Sequence, residues 1–209
     1  MLQKGKKAAS VPRDPDRTRS RILAAALAEF SAKGFAGARV DAIARRAKGN
    51  KRMLYHYFGN KEALFSAVQR HKMAEQRAWA TNLSSDPTER LPFWFETACS
   101  DADWVRLLEW EALQDGAHLV IDEKERRAAS AGWLRRLRQR QQRGQLVAAF
   151  DPAHLALAMQ SLTIFPAAFP QLVRLTTGKS THDPRFQKEY GKFLKDFTAV
   201  FKPRCRAGK

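Results

Sequence analysis

The sequence is poor in cysteine, short of acidic residues for the number of basic ones, and without a long apolar run. Its two cysteines, Cys99 and Cys205, make neither a metal-ligand spacing nor a disulfide framework. That excludes a disulfide-stapled secreted scaffold and points to a reducing, cytoplasmic setting. The opening MLQKGKKAAS is basic, but no apolar segment follows it, so it is not a secretory signal. No uninterrupted apolar run approaches the length that spans a bilayer, so no membrane partner is expected. No alternating run is long enough to suggest a sheet. A glycine-rich phosphate loop and a nucleophile elbow are also missing, and Asp151 and His154 have no nucleophile beside them. No catalysis, metal or cofactor is therefore expected; an enzyme with an incidental basic patch is the rival reading.

What is present in excess is positive charge. The 209 residues include 38 Lys and Arg against 21 Asp and Glu, a net charge of +17. Such a balance calls for a polyanionic partner, most commonly nucleic acid. The charge is uneven. Met1–Asn60 holds fourteen basic residues against four acidic ones, a net of +10, which leaves +7 for the much longer remainder. The anion-binding surface is expected near the N-terminus.

Met1–Asp14 is rich in Lys, Gly, Ala and Pro without a period and reads as a disordered basic arm, for solubility or for DNA contact. From Pro15 the pattern is helical. Ile22, Leu23, Ala26, Leu27 and Phe30 predict a helix over about 16–33, ended by Gly34. Val40, Ile43, Ala44 and Ala47 predict a short second one, broken by Lys48-Gly49-Asn50. Asn50 is a good N-cap for a third helix, Lys51–Phe58, and Asn60 for a fourth, Lys61 to about Ala80. Asp86-Pro87, Asp151-Pro152 and Asp183-Pro184 mark later helix starts, aspartate in the cap and proline at the first helical position. The remaining helices fall at about 87–100, 103–114, 121–143, 152–177 with bends at Pro166 and Pro170, and 184–201.

On the third helix Leu54 and Phe58 share a face that can dock on Val40, Ile43 and Ala47. Lys51, Arg52, Tyr55 and His56 fall on a different face. Two short helices joined by a glycine-containing turn, the second with a basic-aromatic face, make a helix-turn-helix whose second helix fits the major groove of DNA. Lys51, Arg52 and Lys61 each sit in a first helical turn, where the macrodipole opposes cations by about a few tenths of a kcal/mol. Phosphates at those helix ends reverse that balance.

These residues also carry a resemblance. RTRSRILAAALAEFSAKGF, VDAIARRA and NKRMLYHYFGNKEALF, in this order over about Arg17–Val68, resemble the TetR family of transcriptional regulators. The resemblance implies an all-α chain. An N-terminal three-helix helix-turn-helix DNA-binding domain (15–62) is expected, then a C-terminal helical ligand-binding and dimerisation domain (63–202) and a loose basic tail (203–209). It implies a homodimer joined through the last two helices, a palindromic double-stranded DNA operator and a small-molecule effector, as in a ligand-responsive repressor. The candidate DNA-binding residues are Arg39, Asn50, Lys51, Arg52, Tyr55, His56, Tyr57 and Lys61, with packing the alternative for Tyr57. Two departures stand out. The family often has Gly-Val-Ser where this chain has Lys48-Gly49-Asn50, and threonines where it has Ala38-Arg39. Sequence-independent DNA binding is the alternative function.

Further on, QQRGQL and LTIFPAAFPQLVRLTTG resemble the effector domain of one subset of the family. Trp94, Trp104, Trp110, Trp133, Phe165 and Phe169 are candidate lining for an apolar effector pocket, with ordinary core packing as the alternative. Glu96, Glu109, Glu111 and Asp115 near those tryptophans suit a cationic ligand, whereas the net +7 suits an anionic one, and the sign stays open. Phe186, Tyr190, Phe193, Phe197 and Val200 recur at steps of 4, 3, 4 and 3, a heptad-like stripe. With Leu155 and Leu162 on the preceding helix they are candidates for a four-helix dimer seam, packing within one subunit being the alternative.

Overall fold

The computed structural model describes residues 14–81, 83, 86–113 and 122–202, excepting the side chains of 80, 81, 87 and 88. The expected basic arm (all but residue 14), the basic tail and Asp115 lie outside the described residues. Ten helices follow one another: α1 Pro15–Gly37, α2 Val40–Arg46, α3 Lys51–Phe58, α4 Lys61–Thr81, α5 Pro87–Ser100, α6 Ala102–Ala112, α7 Glu123–Gln142, α8 Pro152–Ala168, α9 Pro170–Thr177 and α10 Pro184–Ala199. No strand occurs among the described residues. The chain divides into two compact units at Val68/Gln69, within α4.

The first unit is α1, α2, α3 and the start of α4. Asp14 caps α1 by accepting from the backbone N–H of Asp16 and Arg17. Gly34 (φ 67) ends its regular part, and one further turn runs on to Gly37. A side chain there would strain the left-handed backbone, which is why glycine is needed. Ile22, Ala26, Phe30, Ile43, Leu54, Leu64 and Val68 are almost fully buried. Phe30 and Phe65 meet edge to face at 4.9 Å, with Phe35 5.3 Å from Phe65. Burying a residue such as Phe30 contributes about 1.5–3 kcal/mol, so this small core fixes how α2 and α3 lie on α1.

The second unit is held by Leu91 and Phe95 of α5, Leu137 of α7, Leu146, Leu155, Ala156 and Met159 of α8, Val173 of α9, and Phe186 and Leu194 of α10. Phe95 packs on Tyr190 at 4.8 Å. Lys72 of α4 is buried, and its ammonium lies 2.7 Å from both Asp101 and Glu75. Burial pulls its pKa down, but the bonds to those two carboxylates outweigh that and hold it above the ordinary value. Asp101 also caps α6 by accepting from Trp104 N–H.

The bend expected at Pro166 is absent: α8 runs through that buried proline to Ala168, and the chain turns by 89° at Phe169, where Pro170 starts α9. Pro166 has no N–H to give the carbonyl of Leu162, four residues back. The Tyr190 hydroxyl donates to that carbonyl at 3.0 Å instead, so the proline sits in the helix without leaving a buried acceptor unsatisfied. Among the described residues no single helix is long and apolar enough to cross a membrane.

Candidate nucleic-acid interface

The turn between α2 and α3 is closed by backbone bonds, Ala47 N–H to Ile43 O and Gly49 N–H to Ala44 O, both 2.9 Å. The left-handed residue is Lys48 (φ 51), not the neighbouring glycine. Gly49 is needed for space instead, because a Cβ there would overlap the methyl end of Met53. Asn50 caps α3 through Oδ1, which accepts from Met53 N–H at 2.9 Å. That oxygen is therefore committed to the helix, contrary to the expectation that Asn50 reads DNA. α2 has no side-chain cap of its own. Its first N–H groups face Glu29 of α1, a buried carboxylate that accepts from Arg39 N–H at 3.3 Å and pairs with Lys33 at 2.8 Å. The hydrogen bond from Lys33 lowers the Glu29 pKa, and the Arg39 N–H adds to it against the cost of burial.

With this frame in place, α3 has two sides. Leu54 is buried, and Phe58 is half-buried with the Arg19 guanidinium 5.3 Å from its ring centroid. Lys51, Arg52, Tyr55 and His56 are all exposed. Tyr57 is half-buried with its ring edge-on to His56 at 5.4 Å. Arg39, Arg45 and Arg46 are exposed on and before α2. The structure thus brings Arg39, Lys51, Arg52, Tyr55 and His56 together on the outside of the helix pair.

Two expected phosphate ligands are engaged elsewhere without DNA. Lys51 Nζ lies 2.9 Å from Asp41 Oδ2, and that hydrogen bond raises its pKa. Lys61 is folded back over the Phe35 ring, 4.8 Å from its centroid, and 3.5 Å from the Ala36 carbonyl. Arg52 makes no ion pair among the described residues. Sequence reasoning missed Glu29, Asp41 and Arg19. A signal for the acids was available: only four stand in the first sixty residues, so each was worth a question.

In the second unit Trp94, Trp104, Trp110 and Trp133 are half-buried. Phe165 and Phe169, expected beside them in a pocket, are exposed at the α8–α9 break with ring centroids 5.2 Å apart; they face outward because the break ends the helix that would have covered them. Of the candidate dimer residues, Leu155 and Phe186 are buried in the protomer's own core. Leu162 and Tyr190 are partly buried against that core, Phe197 is half-buried and Phe193 is exposed. Among the described residues no three His, Cys, Asp or Glu side chains gather as a metal site. Burial, then Glu96, pushes the Cys99 thiol up to about 11, so it is a packed thiol and not a reactive thiolate.

Comparison with known proteins agrees with this geometry. Residues 22–68 match the family described as "Bacterial regulatory proteins, tetR family", and residues 92–189 match "Tetracyclin repressor-like, C-terminal domain". The chain is 33% identical over 170 residues to the HTH-type transcriptional repressor SCO4008 of Streptomyces coelicolor, covering 79% of this chain and 86% of that one. It is 32% identical over 180 residues to the HTH-type transcriptional regulator RutR of Escherichia coli, covering 79% and 81%. The crystal structure of the transcriptional regulator SCO4942 of Streptomyces coelicolor superposes with a TM-score of 0.74 at 29% identity, covering 89% of this chain and 99% of that one.

Proposed function

The chain belongs to the TetR family of bacterial regulatory proteins, a family of DNA-binding transcriptional regulators, and from that membership we propose a homodimeric cytoplasmic repressor that holds a palindromic operator until a small molecule binds its second unit. The observation that carries the reading is the α2–α3 pair: an anchored inner side, an exposed outer side of Lys51, Arg52, Tyr55 and His56, and helix ends fixed by Glu29 and Asn50. On DNA, Lys51 exchanges Asp41 for a phosphate, Arg52 and His56 face base edges, and Arg39 supplies the charge where family members have a hydroxyl. Tyr55 and Tyr57 flank them.

The dimer seam is assigned to the exposed apolar surface of α8, α9 and α10, which includes Leu157, Phe165, Phe169, Leu175, Phe193 and Val200. A patch of this kind on one protomer suits burial against a second copy. The effector is assigned to α5–α8, beside the four half-buried tryptophans. A dimer must match two half-sites spaced by the DNA turn, so a small change in the separation of the two α3 helices abolishes specific binding. The test is selection of bound fragments from genomic DNA at fixed salt. Recovery of a shared palindrome supports the reading, and fragments without a common sequence would replace it with sequence-independent binding.

A further inference from the structure

Arg90, in the first turns of α5, is only 9% exposed, and its guanidinium lies 5.0 Å from the centroid of the Trp133 ring on α7. A second guanidinium, that of exposed Arg136, approaches the same ring at 5.9 Å. Arg136 makes no ion pair among the described residues. Its Nη1 lies back over Gly132, where an added Cβ would come within 3.8 Å. The two arginine heads are near enough to act on each other: burial first, and the Arg136 charge second, hold Arg90 below the ordinary arginine value. Asp86, at this end of α5, already lies 3.2 Å from Lys202 and 3.8 Å from Arg140. This end of the unit therefore gathers four cationic side chains around Asp86 and the exposed Glu89.

Two like charges brought to one indole, one of them buried, are costly unless something negative joins them. Guanidinium groups meet carboxylates in a fixed two-point geometry, and the indole offers apolar surface next to it. Trp94 follows Arg90 by one turn on α5, and Leu137 follows Trp133 by one turn on α7. The carboxylates on the neighbouring helices are less available to a cationic ligand. Arg126 holds Glu111 at 2.6 Å, Lys72 holds Asp101 at 2.7 Å, and Glu96 is exposed. We propose that Arg90, Arg136 and Trp133 form an anion subsite that takes the carboxylate of an organic acid with an apolar body. This rests on the reading of the second unit as the effector-binding part, and it settles the sign of the ligand as negative.

The test uses full-length protein, with benzoate as the probe and benzamide as its uncharged counterpart. Benzoate is expected to quench tryptophan fluorescence saturably, with a smaller amplitude in Trp133→Phe. Its affinity is expected to fall by about tenfold in Arg136→Gln, and benzamide to bind about tenfold more weakly than benzoate, since a charge-assisted bond is lost in each case. Arg136 is exposed, so its replacement leaves the fold intact. Arg90→Lys, which keeps the buried charge and loses the fork, is expected to weaken benzoate as well. The proposal is overturned if wild-type protein shows no saturable benzoate binding, if benzamide binds equally well, or if Arg136→Gln binds benzoate unchanged. Operator release separates this idea from the broader one: benzoate that binds through Arg136 without altering DNA affinity upholds the anion subsite and removes its effector role.

Discussion

Glu29→Gln is the most informative single change to the DNA-binding unit. The glutamate is buried and accepts two hydrogen bonds, from Lys33 at 2.8 Å and from the Arg39 backbone at 3.3 Å. A bond to a charged group contributes about 1.5–3 kcal/mol and a neutral one about 0.5–1.5 kcal/mol, so removing the charge costs about 1 kcal/mol per bond. The Lys33 side chain is 49% exposed, which reduces its share toward the small value of a surface pair. The Arg39 bond is long, and a neutral amide is cheaper to bury than a carboxylate. The sum is a loss of about 1 kcal/mol, or about a fivefold rise in local opening. Hydrogen exchange of the amides in α1 and α2 reads that opening directly. The sign with pH follows from the lowered pKa. The contribution of Glu29 is complete above its ordinary value of 4.5 and is lost as pH falls through the lower folded value. The gap between wild type and Glu29→Gln in thermal melts must therefore be widest at neutral pH and close in acid. Equal protection of the two proteins at neutral pH, or a gap that persists unchanged in acid, would refute the anchoring role.

Three further outcomes are expected. Arg52→Ala should weaken operator binding by about 1–3 kcal/mol if it reads a base edge; an equal loss on random DNA at the same salt reassigns it to a phosphate, and no loss on either removes it from the interface. Phe193→Glu with Val200→Glu, both exposed in the protomer, should give folded monomers by light scattering, and a dimer that persists on dilution places the seam elsewhere. Tyr190→Phe removes the donor to the Leu162 carbonyl and should cost about 1–3 kcal/mol in urea melts, because the acceptor left by Pro166 is then unsatisfied; an unchanged midpoint would show that α8 accommodates the proline by itself.

Local structure was legible wherever the deciding signal was local. Asn50 and Gly59 bound α3 at the residues expected, Lys51 and Phe58, because a cap and a left-handed stop act on their own turn. The Asp-Pro pairs likewise place α5, α8 and α10. The two prolines after Leu162 were read as equivalent breakers and are not. A proline interrupts a helix only if the carbonyl it frees finds no other donor, and the donor at Pro166 comes from Tyr190, 28 residues beyond Leu162. No window along the sequence contains that pair. Lys51 and Lys61 show the same limit at the candidate site. Their charge and position were plain, but their present partners, Asp41 and the Phe35 ring, belong to other helices.

The aromatic stripe of α10 illustrates how a correct period can still misplace its members. Residues 186, 190, 193, 197 and 200 repeat every 3.5 residues, whereas a straight helix turns every 3.6, so the stripe drifts by about 20° per heptad. The side of α10 turned to the protomer core carries Gly191, Leu194 and Thr198, all buried, and lies roughly a quarter-turn round from the stripe at 100° per residue. The stripe therefore starts at the border of the core and moves away from it. Phe186, at its beginning, is 5% exposed and packs edge-on to Phe95 at 6.4 Å, while Phe193 is 44% exposed and Val200 73%. One run of aromatics thus serves the interior at one end and a surface at the other. The end that emerges is the one able to meet a second copy, which is why Phe193 and Val200, rather than Phe186, are the positions to charge when the seam is tested.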